Sequence, residues 1–264
     1  MKRARFGTVL FVIIALAAIF APQLSGYDPI KPDYRARYAP PSTTHPLGTD
    51  GLGRDVLARS LAGGRVSLVV ALSATLLTLM LGGVLGVVAA GLGGVTDTVL
   101  SRVFDALLAF PGFLLILLVV ASLGGGTLQT IMAMGVAGSP VFFRLARSFT
   151  RNEMKAEYVT AAGALGATRG RQLLRHAVPN FLGSMVVQVA STAAAFLLVE
   201  ASLSFLGLGV PLPTPSWGNV LQDARSFLTT QPWAAVGPGV FLASASLSFQ
   251  FISDGMRDML DRRS

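Results

Sequence analysis

Apolar stretches of membrane-spanning length recur along the chain, at about residues 6–21, 66–90, 103–123, 127–144, 181–206 and 234–251. Within hydrocarbon every backbone N–H and C=O must find its partner inside the protein, so such stretches become helices, and the polar stretches between them lie at one membrane face or the other. Charged residues make up 13% of the chain and hydrophobic residues 52%. A soluble domain carries about 25% charged residues, so this chain lacks the polar groups to cover a water-facing surface of its size. The expected fold is an all-α polytopic membrane protein with six transmembrane helices: a first helix within residues 1–22, a polar external segment at 23–65, and a five-helix core at 66–264.

Charge orients this topology. Lys2, Arg3 and Arg5, the basic residues across 144–175 and those at 257–263 are placed as cytoplasmic flanks would be. The net charge of +8 is too dispersed along the chain to indicate nucleic acid. Both termini are therefore expected in the cytoplasm. The basic start and short apolar core also fit a cleaved signal peptide; we favour a retained first helix. With no cysteine there is neither a disulfide framework nor a thiolate metal site.

The polar stretch 157–180 lies between the fourth and fifth apolar runs. Ala161, Ala162, Ala164, Leu165 and Ala167 favour helix and Gly163 and Gly166 interrupt it, which predicts a short helix that turns. Small side chains there let a partner approach closely. Leu173, Leu174 and Ala177 resume a helical spacing among Arg171, Arg175 and His176, and Pro179 is expected to end the turn. An amphipathic helix lying on the membrane surface fits the same pattern.

Other positions carry narrower expectations. Asp50, Arg54 and Asp55 read as surface ion pairs and turn residues, with a gating role as the alternative. Gly82 and Gly86 form a small-xxx-small pair for close helix packing. Asp97, Arg102 and Asp105 fall in a short connection, Pro111-Gly112 should kink the third span, and Gly138-Ser139-Pro140 should bend the fourth. Glu200 within the fifth span is expected near its outer end, hydrogen-bonded to Ser202 or Ser204. Trp217 suits a membrane interface, and 220–235 is too polar to span and should hold a short external helix.

Much chemistry is absent. No G-x-x-x-x-G-K-[ST] loop occurs, so the chain is not itself an ATPase. His45 and His176 fall on opposite sides of the expected membrane, and no H-E-x-x-H helix is present, which leaves no convergent catalytic or metal set. An ion-coupled secondary transporter would need ionisable groups at mid-membrane, for which Glu200 is the one candidate. A membrane-embedded scaffold without flux is the other alternative.

Three stretches carry a family resemblance. Thr160-Ala161-Ala162, then Gly166, then Val178-Pro179-Asn180 resemble the Glu-Ala-Ala, Gly, Leu-Pro pattern of the cytoplasmic loop of ABC importer permeases, with Thr160 standing where the family has Glu. HPLGTDGLGRDVLARSLAGGRVSL (45–68) and EASLSFLGLGVPLPTPSWGN (200–219) resemble the dipeptide, oligopeptide and nickel permeases, of the second permease type. The resemblance implies a coupling helix between helices 4 and 5 that docks the ATPase through Glu157, Thr160, Ala161, Ala162, Gly163, Leu165, Gly166, Ala167 and Arg171. It implies a second homologous permease, two ATP-binding subunits that hold ATP and Mg, and an external substrate-binding protein. The substrates it implies are dipeptides and oligopeptides, with nickel or another small solute as the alternative.

Overall fold

The computed structural model describes residues 2–261. The described residues form α1 (Lys2–Ile19), α2 (Ala21–Ser25), a 3₁₀ turn at Tyr34–Ala36, α3 (Val56–Leu92), α4 (Gly94–Leu108), α5 (Gly112–Ser122), α6 (Thr127–Glu153), α7 (Glu157–Ala164), α8 (Arg169–Phe205), α9 (Trp217–Arg225) and α10 (Trp233–Asp261). Among the described residues α3, α6, α8 and α10 are long and apolar enough to cross a membrane, and the bent pair α4–α5 makes a fifth if counted as one span. Arg262 and Arg263 of the basic carboxyl end lie outside the described residues.

Several spans are longer than apolarity alone indicated, and in α3 and α6 a local hydrogen bond accompanies the difference. The second span was expected from about Val66 but α3 begins at Val56, because Asp55 stops the preceding chain and its Oδ1 accepts from the Ala58 amide at 2.6 Å. An Asp in that position satisfies one of the four amides that a helix start leaves open. Similarly, α6 does not end at Arg144 but runs unbroken through Pro140 to Glu153. Pro140 has no N–H to give the Val136 carbonyl, and the Ser139 hydroxyl donates to that oxygen at 2.7 Å instead. Nor does Pro179 end a turn: a π-helical turn at Gln172–Ala177 precedes it and the helix continues to Phe205.

The third span departs most from expectation. Pro111 adopts an extended ψ of 121°, and the chain breaks into α4 and α5 at an angle of 87° rather than kinking within one helix. Asp97 and Asp105, expected in a connection, are helical and face α6. Arg147 Nη2 donates to Asp97 Oδ2 at 2.8 Å, with Arg147 Nε and Arg151 also on that carboxylate, and Arg144 Nη2 donates to Asp105 Oδ1 at 2.8 Å. Much of the positive charge at the end of α6 is therefore consumed within the fold.

Packing explains the glycine pair in α3. A Cβ at Gly82 would overlap the Ser139 carbonyl oxygen, and one at Gly86 would lie 2.5 Å from that of Phe143. Helices α3 and α6 thus meet backbone to backbone, as small residues at this spacing allow. The main core lies among α1, α3, α5, α6, α8, α9 and α10, around Ala71, Ala74, Met134, Ala193, Leu197 and Trp217. Trp217 does not present its ring at the protein surface. It is buried, and its Nε1 donates to the Ser60 carbonyl at 2.9 Å.

Candidate functional site

The long helices give the bundle two poles. The first residues of α3 meet α9, while its last turn meets Arg169, the first residue of α8. The 37 residues between these contacts span about 55 Å at 1.5 Å each, so they lie at opposite ends. Polar constellations occupy both.

At the α7 pole, the nine residues expected to dock a partner fall on one helix–turn–helix. Glu157 opens α7, where its carboxylate is favourable to the helix dipole. Thr160 and Ala161 are exposed, Ala162 and Gly163 half-buried, and Val159 is the one buried side chain of α7. Leu165 is 90% exposed just beyond the helix end. Gly166 turns the chain at φ +90°, a conformation costly for any residue with a Cβ. Ala167 is half-buried, and its carbonyl accepts from Gln172 Nε2 at 3.0 Å, which fixes the turn on α8. Thr168 caps the start of α8 by accepting from the Arg171 amide at 3.4 Å, leaving the Arg171 side chain exposed. The structure thus gathers all nine on one protruding element.

Sequence reasoning missed Tyr158 on the same helix. Its hydroxyl donates to Glu153 Oε2 and accepts from Asn180 Nδ2, which also reaches Glu153 Oε2 at 3.3 Å. Partial burial and the neighbouring Glu153 raise the phenol pKa above its ordinary value.

At the other pole Asp50, Arg54 and Asp55 are buried, contrary to the surface ion pairs expected of them. Asp50 Oδ1 accepts from the Leu52 and Arg54 amides at 2.8 and 2.9 Å, and its Oδ2 accepts from Arg54 Nε at 2.7 Å. Asp223 on α9 completes the set: its Oδ2 accepts from Arg54 Nη2 at 2.9 Å and Arg59 Nη2 at 2.8 Å. Arg59 is fully buried and also donates to the Pro29 carbonyl at 3.2 Å. Asp55 Oδ2 pairs with His45 Nδ1 at 2.8 Å, with the His45 ring 4.8 Å from that of Tyr27. Removing these charges from water is compensated only because each meets several partners. The network bolts the polar segment and the start of α3 to α9.

Beneath α9 lies Glu200, at 0% exposure rather than near solvent. Its Oε1 accepts from the Ser204 hydroxyl at 2.7 Å, and Ser204 Oγ accepts from the Val210 amide at 3.1 Å, fixing the return from α8. Ser202 bonds the Leu198 carbonyl instead. Replacing Glu200 with Ala would leave a cavity and strand Ser204, so Glu200→Ala should lower stability by about 2–4 kcal/mol without altering substrate preference. Thermal melting of the purified protein checks this; an unchanged midpoint would contradict it.

Among the described residues no group of three or more His, Cys, Asp or Glu is gathered to hold a metal. What remains is a helical membrane protein with an exposed helix–turn–helix at one pole and a buried ionic clasp at the other. Residues 82–264 match the model of a family described as binding-protein-dependent transport system inner membrane component, and residues 2–41 match the N-terminal TM domain of oligopeptide transport permease C. The chain belongs to the family of binding-protein-dependent transport system inner membrane components. It is a permease subunit of the ABC importer class, a multi-pass inner-membrane protein that works with other importer components, and ATP hydrolysis belongs to separate subunits.

It is 38% identical over 260 residues to the oligopeptide transport system permease protein OppC of Bacillus subtilis (strain 168), covering 98% of this chain and 85% of that protein. It is 37% identical over 260 residues to the dipeptide transport system permease protein DppC of Alkalihalophilus pseudofirmus, covering 98% of this chain and 86% of that one. A putative peptide transport system permease protein of Brucella suis biovar 1 is 38% identical over 259 residues, with 98% and 87% covered.

Proposed function

We propose that this chain forms half of the translocation pathway of an importer for dipeptides or oligopeptides, paired with a second homologous permease. Its relatives named for dipeptide and oligopeptide transport support that substrate class. The observation that carries the reading is the protruding α7 and its turn, with Leu165 90% exposed between two spans. ATP can move the pathway between inward-open and outward-open states only if the nucleotide state changes what the permease contacts, and α7 is the contact on offer.

In this reading six spans cross the membrane, counting α1 and the broken α4–α5 pair. The termini and the α7 pole lie in the cytoplasm, in keeping with the basic residues there. Glu157, Thr160, Ala161, Ala162, Gly163, Leu165, Gly166, Ala167 and Arg171 dock one of two ATP-binding subunits, which hold ATP and Mg. The α9 pole faces the external substrate-binding protein, which selects the substrate.

The test is ATP hydrolysis by the reconstituted complex, with its binding protein loaded with peptide, loaded with nickel or empty. Stimulation by peptide alone is expected. Stimulation by nickel alone would move the chain to the metal branch, and hydrolysis indifferent to all three would overturn the reading.

A further inference from the structure

Docking alone moves nothing in the membrane: a displacement of α7 must reach the spans. The links that join α7 to the spans are short, residues 154–156 on one side and 165–168 on the other, and the second contains Gly166 at φ +90°. A single buried side chain, Val159, seats α7 on the bundle. A helix held so lightly could rock in place, its motion absorbed in the two links.

The Tyr158 hydroxyl removes that freedom. It sits one residue after the start of α7 and bonds Glu153, the last residue of α6, and Asn180, about three turns into α8 and just beyond its π-helical turn. Asn180 also reaches Glu153 directly at 3.3 Å, so three helices close on one another through three side chains. Tyr158 is 45% exposed, so burial does not explain why a phenol stands here.

Resting on the docking reading above, we propose that Tyr158 is the positioning residue through which displacement of α7 is passed to α6 and α8 together. The hydroxyl acts as donor to Glu153 and acceptor from Asn180 at once, which a phenylalanine ring cannot do. Coupling between sites is a free energy carried by such bonded contacts. Its loss lowers the response to the distant ligand without abolishing binding at either site.

The experiment compares the native chain and Tyr158→Phe in the full importer complex, hydrolysis being read on these chains and cross-linking on matched chains that also carry Leu165→Cys; the chain has no cysteine of its own to interfere. Three quantities are read: cross-linking of position 165 to the ATP-binding subunit, basal ATP hydrolysis, and its stimulation by peptide-loaded binding protein. Tyr158→Phe should keep the cross-link and the basal rate while stimulation falls about fivefold or more. Asn180→Ala should lower stimulation similarly, and the double variant should lose little beyond either single one.

Full stimulation in Tyr158→Phe at normal abundance would overturn the proposal. So would loss of the cross-link together with stimulation, which would assign Tyr158 to docking. Absence of the cross-link in the complex with native Tyr158 would instead overturn the docking reading and this inference with it.

Discussion

Asp223→Ala is expected to destabilise the protein severely. The substitution takes the shared carboxylate from two arginines at once, and one of them, Arg59, is fully buried. Its remaining contacts, the Pro29 carbonyl at 3.2 Å and Asp50 Oδ2 at 3.5 Å from Nε, are longer than the bond lost. Breaking a buried pair by removing one partner costs about 3–5 kcal/mol, chiefly because the other charge stays behind. For a chain of this length that corresponds to a fall in melting midpoint on the order of 10 °C. Asp223→Asn, which keeps an acceptor oxygen, should fall between. Thermal melting of the purified protein measures both, and an unchanged midpoint for Asp223→Ala would show that the clasp contributes nothing.

Ala162→Arg should abolish transport without abolishing the protein. Ala162 is half-buried on α7 beside exposed Ala161, so a long cation there would fill the surface that close docking requires. Insertion and abundance should be unchanged, because no core contact is lost. Peptide uptake and substrate-stimulated ATP hydrolysis should each fall at least about tenfold, the scale of losing a central interface residue. Normal uptake by a well-expressed variant would contradict the docking role. Leu165→Ala removes the most exposed large apolar side chain of the element and should weaken coupling less, since it deletes a contact without adding a clash.

The helical class and the place of the short helix with its turn were legible because each depends on neighbours in sequence: apolar length, small residues and glycine punctuation. Gly82 and Gly86 were likewise readable as a close-packing pair, and the backbone approach to α6 bears that out. What escaped depends on partners far along the chain. Arg54, and with it Asp50, looked like a surface charge because the second carboxylate that holds Arg54, Asp223, lies 169 residues beyond it. Trp217 looked interfacial because amphipathic side chains favour that depth, yet a carbonyl 157 residues earlier, at Ser60, satisfies its N–H within the core.

Helix ends were misjudged for a related reason. Apolarity reports where a helix sits in hydrocarbon, whereas its ends are set by caps such as Asp55 and by substitutes such as Ser139 at Pro140. The expected kink at Pro111 became an 87° break, with the first half of the pair tied to α6 through Asp97 and Asp105. Tyr158 carried no signal of its own, since a tyrosine beside a helix start is unremarkable until Glu153 and Asn180 are seen to meet it.

Whether the turn after α7 touches an ATP-hydrolysing subunit decides the docking role. A single cysteine introduced by Leu165→Cys in a chain that has none gives one reactive position, and cross-linking in native membranes identifies what lies against it. The expected product is an adduct with a subunit bearing a G-x-x-x-x-G-K-[ST] motif, its yield changing with the nucleotide supplied. An adduct with lipid alone, or none with such a subunit under any nucleotide condition, would contradict that role.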